Sequence, residues 1–307
     1  MLSGALLIDK PADLTSHDVV ARVRKIVNQK RVGHTGTLDP FATGLLIIVL
    51  GPATRLIEYT HLLPKTYLAE FTLGATSDTD DSTGAIKTFP SLRRRGSFAE
   101  GEDGVVKIKT TLQNFTGQIT QTPPAYSAIK INGRRAYAIA RAKASGVGES
   151  PRLSPRQVTI HKIKLLAYKY PKINLLITCG TGTYIRALAR DLGQSLQTGA
   201  YCSQLRRTQI GTFHIKQALT LDQLSTGLSP SCALAPESLV SHLPKTTLTA
   251  LNVAKLQAGQ SIELPREELN RLPLQHPIAV FNPQNQLISI SQISPPLLQP
   301  RKIIIPP

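Results

Sequence analysis

Six consecutive apolar residues, Leu45 to Leu50 in "TGLLIIVLG", stand between Gly44 and Gly51. A run of that length bounded by glycine reads as a buried strand. Whatever precedes it is anchored to the core, and what precedes it is "RVGHTGTLDPFATG", a loop with one carboxylate, Asp39. Pro40 disfavours the helical region at Asp39 and pushes it extended. Gly33, Gly36 and Gly44 allow tight turns and the close approach of another backbone. The loop therefore reads as a rigid display of one carboxylate at the mouth of a sheet. Such a group serves as nucleophile, general base or metal ligand, or simply closes an Asx turn.

Upstream, "ALLID" reads as a short strand and "TSHDVVARVRKIVNQ" as a helix. Val19, Val20, Val23, Ile26 and Val27 fall at helical spacing, with Thr15 or Ser16 as cap and Asp18 in the first turn. Downstream, "ATRLIEYTHLL" reads as a short helix. "KTYLAEFTLG" alternates, with Tyr67, Ala69, Phe71 and Leu73 on one side, as a half-buried strand does. "SLRRRGSFAEGEDG" (91–104) reads as a mobile surface insertion. "INLLITCGTGTYIRALARDLGQSL" reads as strand, glycine turn and helix, with Thr183 as N-cap. Hairpin-like strand pairs favour a mixed α+β fold with a largely antiparallel sheet over a doubly wound one. Composition shifts after about residue 215 to a linker with small helices. The tail reads as a small β-rich module, with "IAVFNPQNQLISISQI" as two strands about an Asn-containing turn. The domain division is 1–245, linker included, and 246–307.

The formal charge of +17, from 36 Lys and Arg against 19 Asp and Glu, points to a polyanionic partner. Cys179, Cys202 and Cys232 are odd in number and lack paired-ligand spacing. This argues against a disulfide framework or structural zinc and for a reducing cytoplasm. No 18-residue apolar window or signal peptide is present, so no membrane span is expected. His34 and Asp39 have no third metal ligand near them. The acidic "SDTDDSTG" (Asp78, Asp80, Asp81) lacks the EF-hand register and reads as a solvated turn.

An ionised carboxylate in a dry pocket needs a paired cation. Arg186, in the first turn of the "GTYIRALARDL" helix, is the candidate, with a surface helix arginine as the plain alternative. Tyr184 lies nearby in sequence. Tyr67 is a base-stacking or a core aromatic.

The blocks "LLIDKP", "GHTGTLDPFATGLL", "KTYLAEFTLG", "SDTDDSTG", "QTPPAYSAIKINGRRAYAIAR", "GTYIRALARDLG" and "SQLRRTQIGTF" resemble, in order, the bacterial tRNA pseudouridine-55 synthases over residues 4 to 215. The tail resembles their PUA-type RNA-binding module. The resemblance implies a pseudouridine synthase-type catalytic domain that isomerises one uridine of the tRNA T loop on a flipped-out nucleotide. It implies no cofactor; the ligand spacing argues against a metal, and with no signal for oligomerisation a monomer without an obligate protein partner is the default expectation. The resemblance makes Asp39 the catalytic aspartate, by attack on ribose C1′, attack on base C6 or deprotonation of the sugar. It makes Arg186 the partner of Asp39 and Tyr67 the residue that stacks on the base and assists proton loss at C5. Tyr184 and Leu205 line the base pocket, and His34 enters the T loop. Lys10 and Lys130 match signature positions of structural or phosphate-facing role. Asp13 stands where the family usually has Gly, a change expected to alter a turn rather than the chemistry. A non-catalytic RNA-binding protein or chaperone is the alternative, and a metal-dependent nuclease on Asp78, Asp80 and Asp81 a further one.

Overall fold

The computed structural model describes residues 2–88, 101–146, 149–227 and 232–304. It divides into two compact units. One comprises Met1–Asp39, Leu46–Leu62 and Lys216–Pro307, and the other Pro40–Leu45 and Leu63–Ile215.

The first unit begins with β1 (Gly4–Lys10) and α1 (Ser16–Val27). Thr15 caps α1. Its Oγ1 accepts from the Asp18 N–H at 3.1 Å, and the Asp18 carboxylate accepts from the Thr15 N–H at 2.8 Å, a reciprocal capping box. Val19, Val20 and Val23 pack on Leu6, Ile8, Leu46 and Ile48, as the helical spacing requires. β2 (Val32–His34) runs antiparallel to β3 (Thr43–Leu50), with His34 opposite Ile48. Every residue of β3 after Thr43 is buried. Gly51 ends the strand at φ +59 and begins a 3₁₀ turn, Gly51–Leu56, that continues into α2 (Ile57–Thr60). Asp13 adopts φ 65, so the backbone keeps a left-handed conformation that glycine takes without strain.

The second unit holds β4 (Lys65–Leu73), a short hairpin β5 (Ala75–Ser77) and β6 (Ile86–Thr88), and helix α3 (Glu102–Gln113). After β7 (Gly117–Gln121) comes the hairpin β8 (Lys130–Ile131) and β9 (Arg134–Arg135), then α4 (Ala136–Ala144). The long strands β10 (Arg156–Lys169) and β11 (Lys172–Cys179) follow, then α5 (Ile185–Ser195) and β12 (Ala200–Ile210), which pairs with β13 (Phe213–His214). In this unit the sheet runs β12-β4-β11-β10-β7, every pair antiparallel, and the start of β3 adds a parallel neighbour to β12. The mixed, largely antiparallel α+β reading is borne out. Helix α5 packs on β12 and β4 and buries Ile185, Ala187, Leu188 and Leu192.

Three expectations are corrected. Of the insertion at 91–104, residues 91–100 lie outside the described ones, but Glu102 onward is helix. Ile108 and Leu112 anchor α3, and Glu102 and Asp103 suit its N-terminus. Tyr184, not Thr183, is the N-cap of α5, because the Thr183 hydroxyl donates to the Gly180 carbonyl at 3.1 Å. The segment after residue 215 is packed rather than a free linker. Leu219 and Leu234 hydrogen-bond to Leu7 and Ala5 of β1, and Leu221 and Leu224, on the Thr220-capped α6 (Leu221–Thr226), join the core beneath α1.

Residues 248–298 contribute a second core, centred on Leu256, Ile278, Val280 and Leu298. Around it lie β14 (Lys245–Thr247), α7 (Ala250–Gln257), β15 (Ile262–Glu263), β16 (Ile278–Phe281), β17 (Leu287–Ser294) and β18 (Leu297–Ile303). The strand order is β14-β16-β17-β18-β15, and the turn between β16 and β17 carries Asn285 at φ 59.

Candidate active site

In the first unit, Asp39 is half-buried on the loop between β2 and β3. The residue before it is fixed. Ser16, the first residue of α1 and fully buried, accepts from the Leu38 N–H through Oγ at 2.9 Å, and its hydroxyl donates to the Leu38 carbonyl at 3.3 Å. One hydroxyl thus satisfies both backbone groups of the residue that leads into Asp39. His34 ends β2, and its Nδ1 accepts from the Gly36 N–H at 3.3 Å, which places the proton of the neutral ring on Nε2. Lys10 has no exposed surface, and its ammonium donates to the carbonyls of Pro11 (2.9 Å) and Leu14 (2.7 Å). Of its two expected roles this geometry supports the structural one, holding the "DKPADL" turn, over a phosphate-facing one.

In the second unit, Tyr67 lies half-buried on β4 with Arg207 directly across on β12. Leu205 is buried opposite Ala69, two positions along the same face. Lys65, on the same face as Tyr67, is opposite Cys179 of β11. Burial, and then the charge of Arg207, push the Lys65 ammonium down to about 8. Burial pushes the Cys179 thiol up to about 11, so it is not a poised thiolate. Arg207 is itself buried, its Nε donating to the Leu45 carbonyl at 2.8 Å. Here Gly44 is required: at φ +104, a Cβ would fall on the Arg207 carbonyl oxygen. The close approach expected of this glycine is made by the chain's own β12.

Helix α5 presents Tyr184 and Arg186. Gln121, fully buried, accepts from the Tyr184 N–H at 2.8 Å and donates to the Tyr184 carbonyl at 3.1 Å, gripping the cap residue from both sides. The Arg156 guanidinium lies 5.0 Å from the Tyr184 ring centroid. Arg186 is 3% exposed, which dismisses the surface-arginine alternative. Its Nη1 donates to the Thr79 carbonyl at 2.9 Å and lies 3.3 Å from Asp81 Oδ2, and its Nη2 donates to the Tyr126 carbonyl at 3.0 Å.

The solvated-turn expectation is therefore corrected for Asp80 and Asp81, which are buried, and holds for Asp78, which is exposed. Asp81 is 4% exposed and its Oδ1 accepts from Thr79 Oγ1, the Thr83 N–H and Thr83 Oγ1. Asp80 pairs with Arg190 at 2.9 Å, and burial raises its carboxyl to about 6 against the opposing pull of Arg190. Asp78 accepts from the Ala85 N–H at 2.8 Å. Each carboxylate of the nuclease alternative is thus engaged within the protein. Among the described residues no cluster of three or more His, Cys, Asp or Glu is arranged to hold a metal. Lys130 sits apart in character, exposed on the β8–β9 hairpin with Arg134 and Arg135. Asn132 and Gly133 form the hairpin's turn, both at positive φ.

The sequence assigns no site role to Ser16, Gln121 or Arg207, and reads Asp81 only as part of a solvated turn or a metal site. Only their engagement with Leu38, Tyr184, Arg186 and Leu45 reveals them.

The fold is shared with known proteins. It matches a chain of the "Cbf5-Nop10-Gar1 Complex" crystal structure with a TM-score of 0.73 at 24% identity, over 99% of this chain and 86% of that one. A family model described as "TruB family pseudouridylate synthase (N terminal domain)" matches residues 24–185. One described as "tRNA pseudouridylate synthase B C-terminal domain" matches 186–234. These family matches define a pseudouridylate synthase, an isomerase. Curated relatives named tRNA pseudouridine synthase B are similar along nearly the whole length. That of Dehalococcoides mccartyi is 42% identical over 295 residues (95% of this chain, 92% of the relative). That of Thermobifida fusca is 37% identical over 301 residues (95% of each). The chain belongs to the TruB family.

Proposed function

We propose that this protein converts uridine 55 in the T loop of tRNA to pseudouridine, without a cofactor. In that reaction the N1–C1′ bond breaks, a C5–C1′ bond forms, C5 loses its proton and N1 gains one. Asp39 is the catalytic carboxylate and Arg186 the cation that keeps it ionised. Tyr67 stacks on the base and assists proton loss from C5, Tyr184 and Leu205 line the base pocket, and His34 enters the T loop. Lys130 contacts the RNA backbone, while Lys10 shapes its own loop. The observation that carries this reading is Arg186. Two separate chain segments, the Thr79–Asp81 turn and Tyr126, hold it, buried, in one orientation, and a rigid buried guanidinium is what an anionic centre on a flipped nucleotide requires. Relatives named as tRNA synthases support tRNA as the substrate. Residues 246–307, with a core of their own, act as a PUA-like RNA-binding module. No helix among the described residues is long and apolar enough to cross a membrane. We take the protein to act in the cytoplasm as a monomer without an obligate protein partner.

The test is tritium release from a tRNA transcript labelled at uridine C5, in excess chelator, for wild type and Asp39→Asn. Release by wild type alone, with tRNA affinity retained by the variant, is the expected result. Equal release by both overturns the role of Asp39. Release by neither, with tight binding, would favour a non-catalytic RNA-binding protein.

A further inference from the structure

The sequence "TSHD" at the start of α1 has a distinct contact at each position. Thr15 and Asp18 close the capping box, which fixes the backbone of the two residues between them. Ser16 grips Leu38, one residue before Asp39. His17 meets His34: their ring centroids are 5.4 Å apart and the planes stand at 83°, an edge-to-face pair. Adjacent side chains on one helical turn thus brace the two functional arms of the same loop. His34 is pinned on one edge by the Gly36 N–H to its Nδ1, and the His17 ring limits its tilt.

The geometry points to His17 as a positioning residue for His34, and through it for the flipped nucleotide. This rests on the reading of the protein as a pseudouridine synthase in which His34 enters the T loop. His17 is exposed and lies outside the buried core, so its ring is not needed to fill an interior. Its aromatic shape, rather than its charge, is the feature that braces. Phe in its place preserves an edge-to-face pair, and Ala removes it.

The test is a double-mutant cycle on His17→Ala and His34→Ala, with His17→Phe as the rescue, read by single-turnover pseudouridine formation. A second readout is the fluorescence of 2-aminopurine placed beside the target uridine, which reports unstacking. His17→Ala should slow the single turnover about tenfold, as small misplacements of positioning groups do. The tRNA Kd should stay within about twofold and the fluorescence rise should shrink. His17→Phe should restore both. Added to His34→Ala, His17→Ala should have no further effect, because coupled neighbours are not additive. Additive losses, or a Phe variant as impaired as the Ala variant, would overturn the proposal. If wild type forms no pseudouridine the functional reading fails. The fluorescence arm still decides whether His17 governs nucleotide extrusion, and an unchanged signal in His17→Ala overturns that role by itself.

Discussion

Asp81 Oδ2 lies 3.3 Å from Arg186 Nη1, with the two side chains 6% and 3% exposed. A buried guanidinium that has lost its carboxylate is costly, on the order of 3–5 kcal/mol. Asp81→Ala should therefore either unfold the second unit partly or leave Arg186 misdirected. Asp81→Asn, which keeps the acceptor for the two threonines, isolates the charge. It should keep tRNA affinity and lower the single-turnover rate at least about tenfold. Wild-type turnover by Asp81→Asn would show that the carbonyls of Thr79 and Tyr126 suffice to orient Arg186.

Gly44→Ala tests packing instead of charge. The added methyl meets the backbone of Arg207 at a positive φ, and neither strand can yield without losing pairing. A loss of at least ~2 kcal/mol is expected, measured by urea unfolding. An unchanged midpoint would mean that β3 and β12 separate freely.

Asp80 gives a pH dependence of definite sign. Its folded pKa of about 6 lies above the ordinary 3.8, so the folded state takes up the proton more readily. The stability this contributes is complete below about 4 and is lost as pH rises through about 6. Wild type should therefore gain on Asp80→Asn as pH falls from 7 to 4, by up to a few kcal/mol at ~1.4 per pKa unit. Parallel stability profiles would show that Asp80 does not titrate in this range.

The exposed hairpin tests the basic surface. Removing the charges of Lys130, Arg134 and Arg135 should weaken tRNA binding and flatten its salt dependence by about one power of salt per lost phosphate contact. Weaker binding with an unaltered slope would place the RNA backbone elsewhere.

Local patterns in the sequence carried much of this. The spacing of Val19, Val20 and Val23, the Thr15 cap and the run Leu45–Leu50 each state their own structure within a dozen residues. Gly44 announced a close approach, though not its partner. Asp80 and Asp81 were illegible because their cations, Arg190 and Arg186, lie over a hundred residues away. A polar turn paired at that range looks the same in sequence as a hydrated one. Helix α3 was hidden by its polar flank, since its buried stripe (Ile108, Leu112) is narrow. Thr183 looked like the cap because caps are usually hydroxyls, but Gly180 claimed that hydroxyl first.

The joint at Arg186 also has a history in time. During synthesis Thr79 leaves the ribosome 107 residues before Arg186, and Tyr126 leaves 60 residues before it. Until α5 emerges, the acidic turn has its own threonines but no cation, and its burial cannot be completed. A nascent chain halted short of residue 186 would leave Asp81 open to solvent and to proteases. The turn is completed later still, when β12 brings Cys202, whose N–H donates to the Asp80 carbonyl.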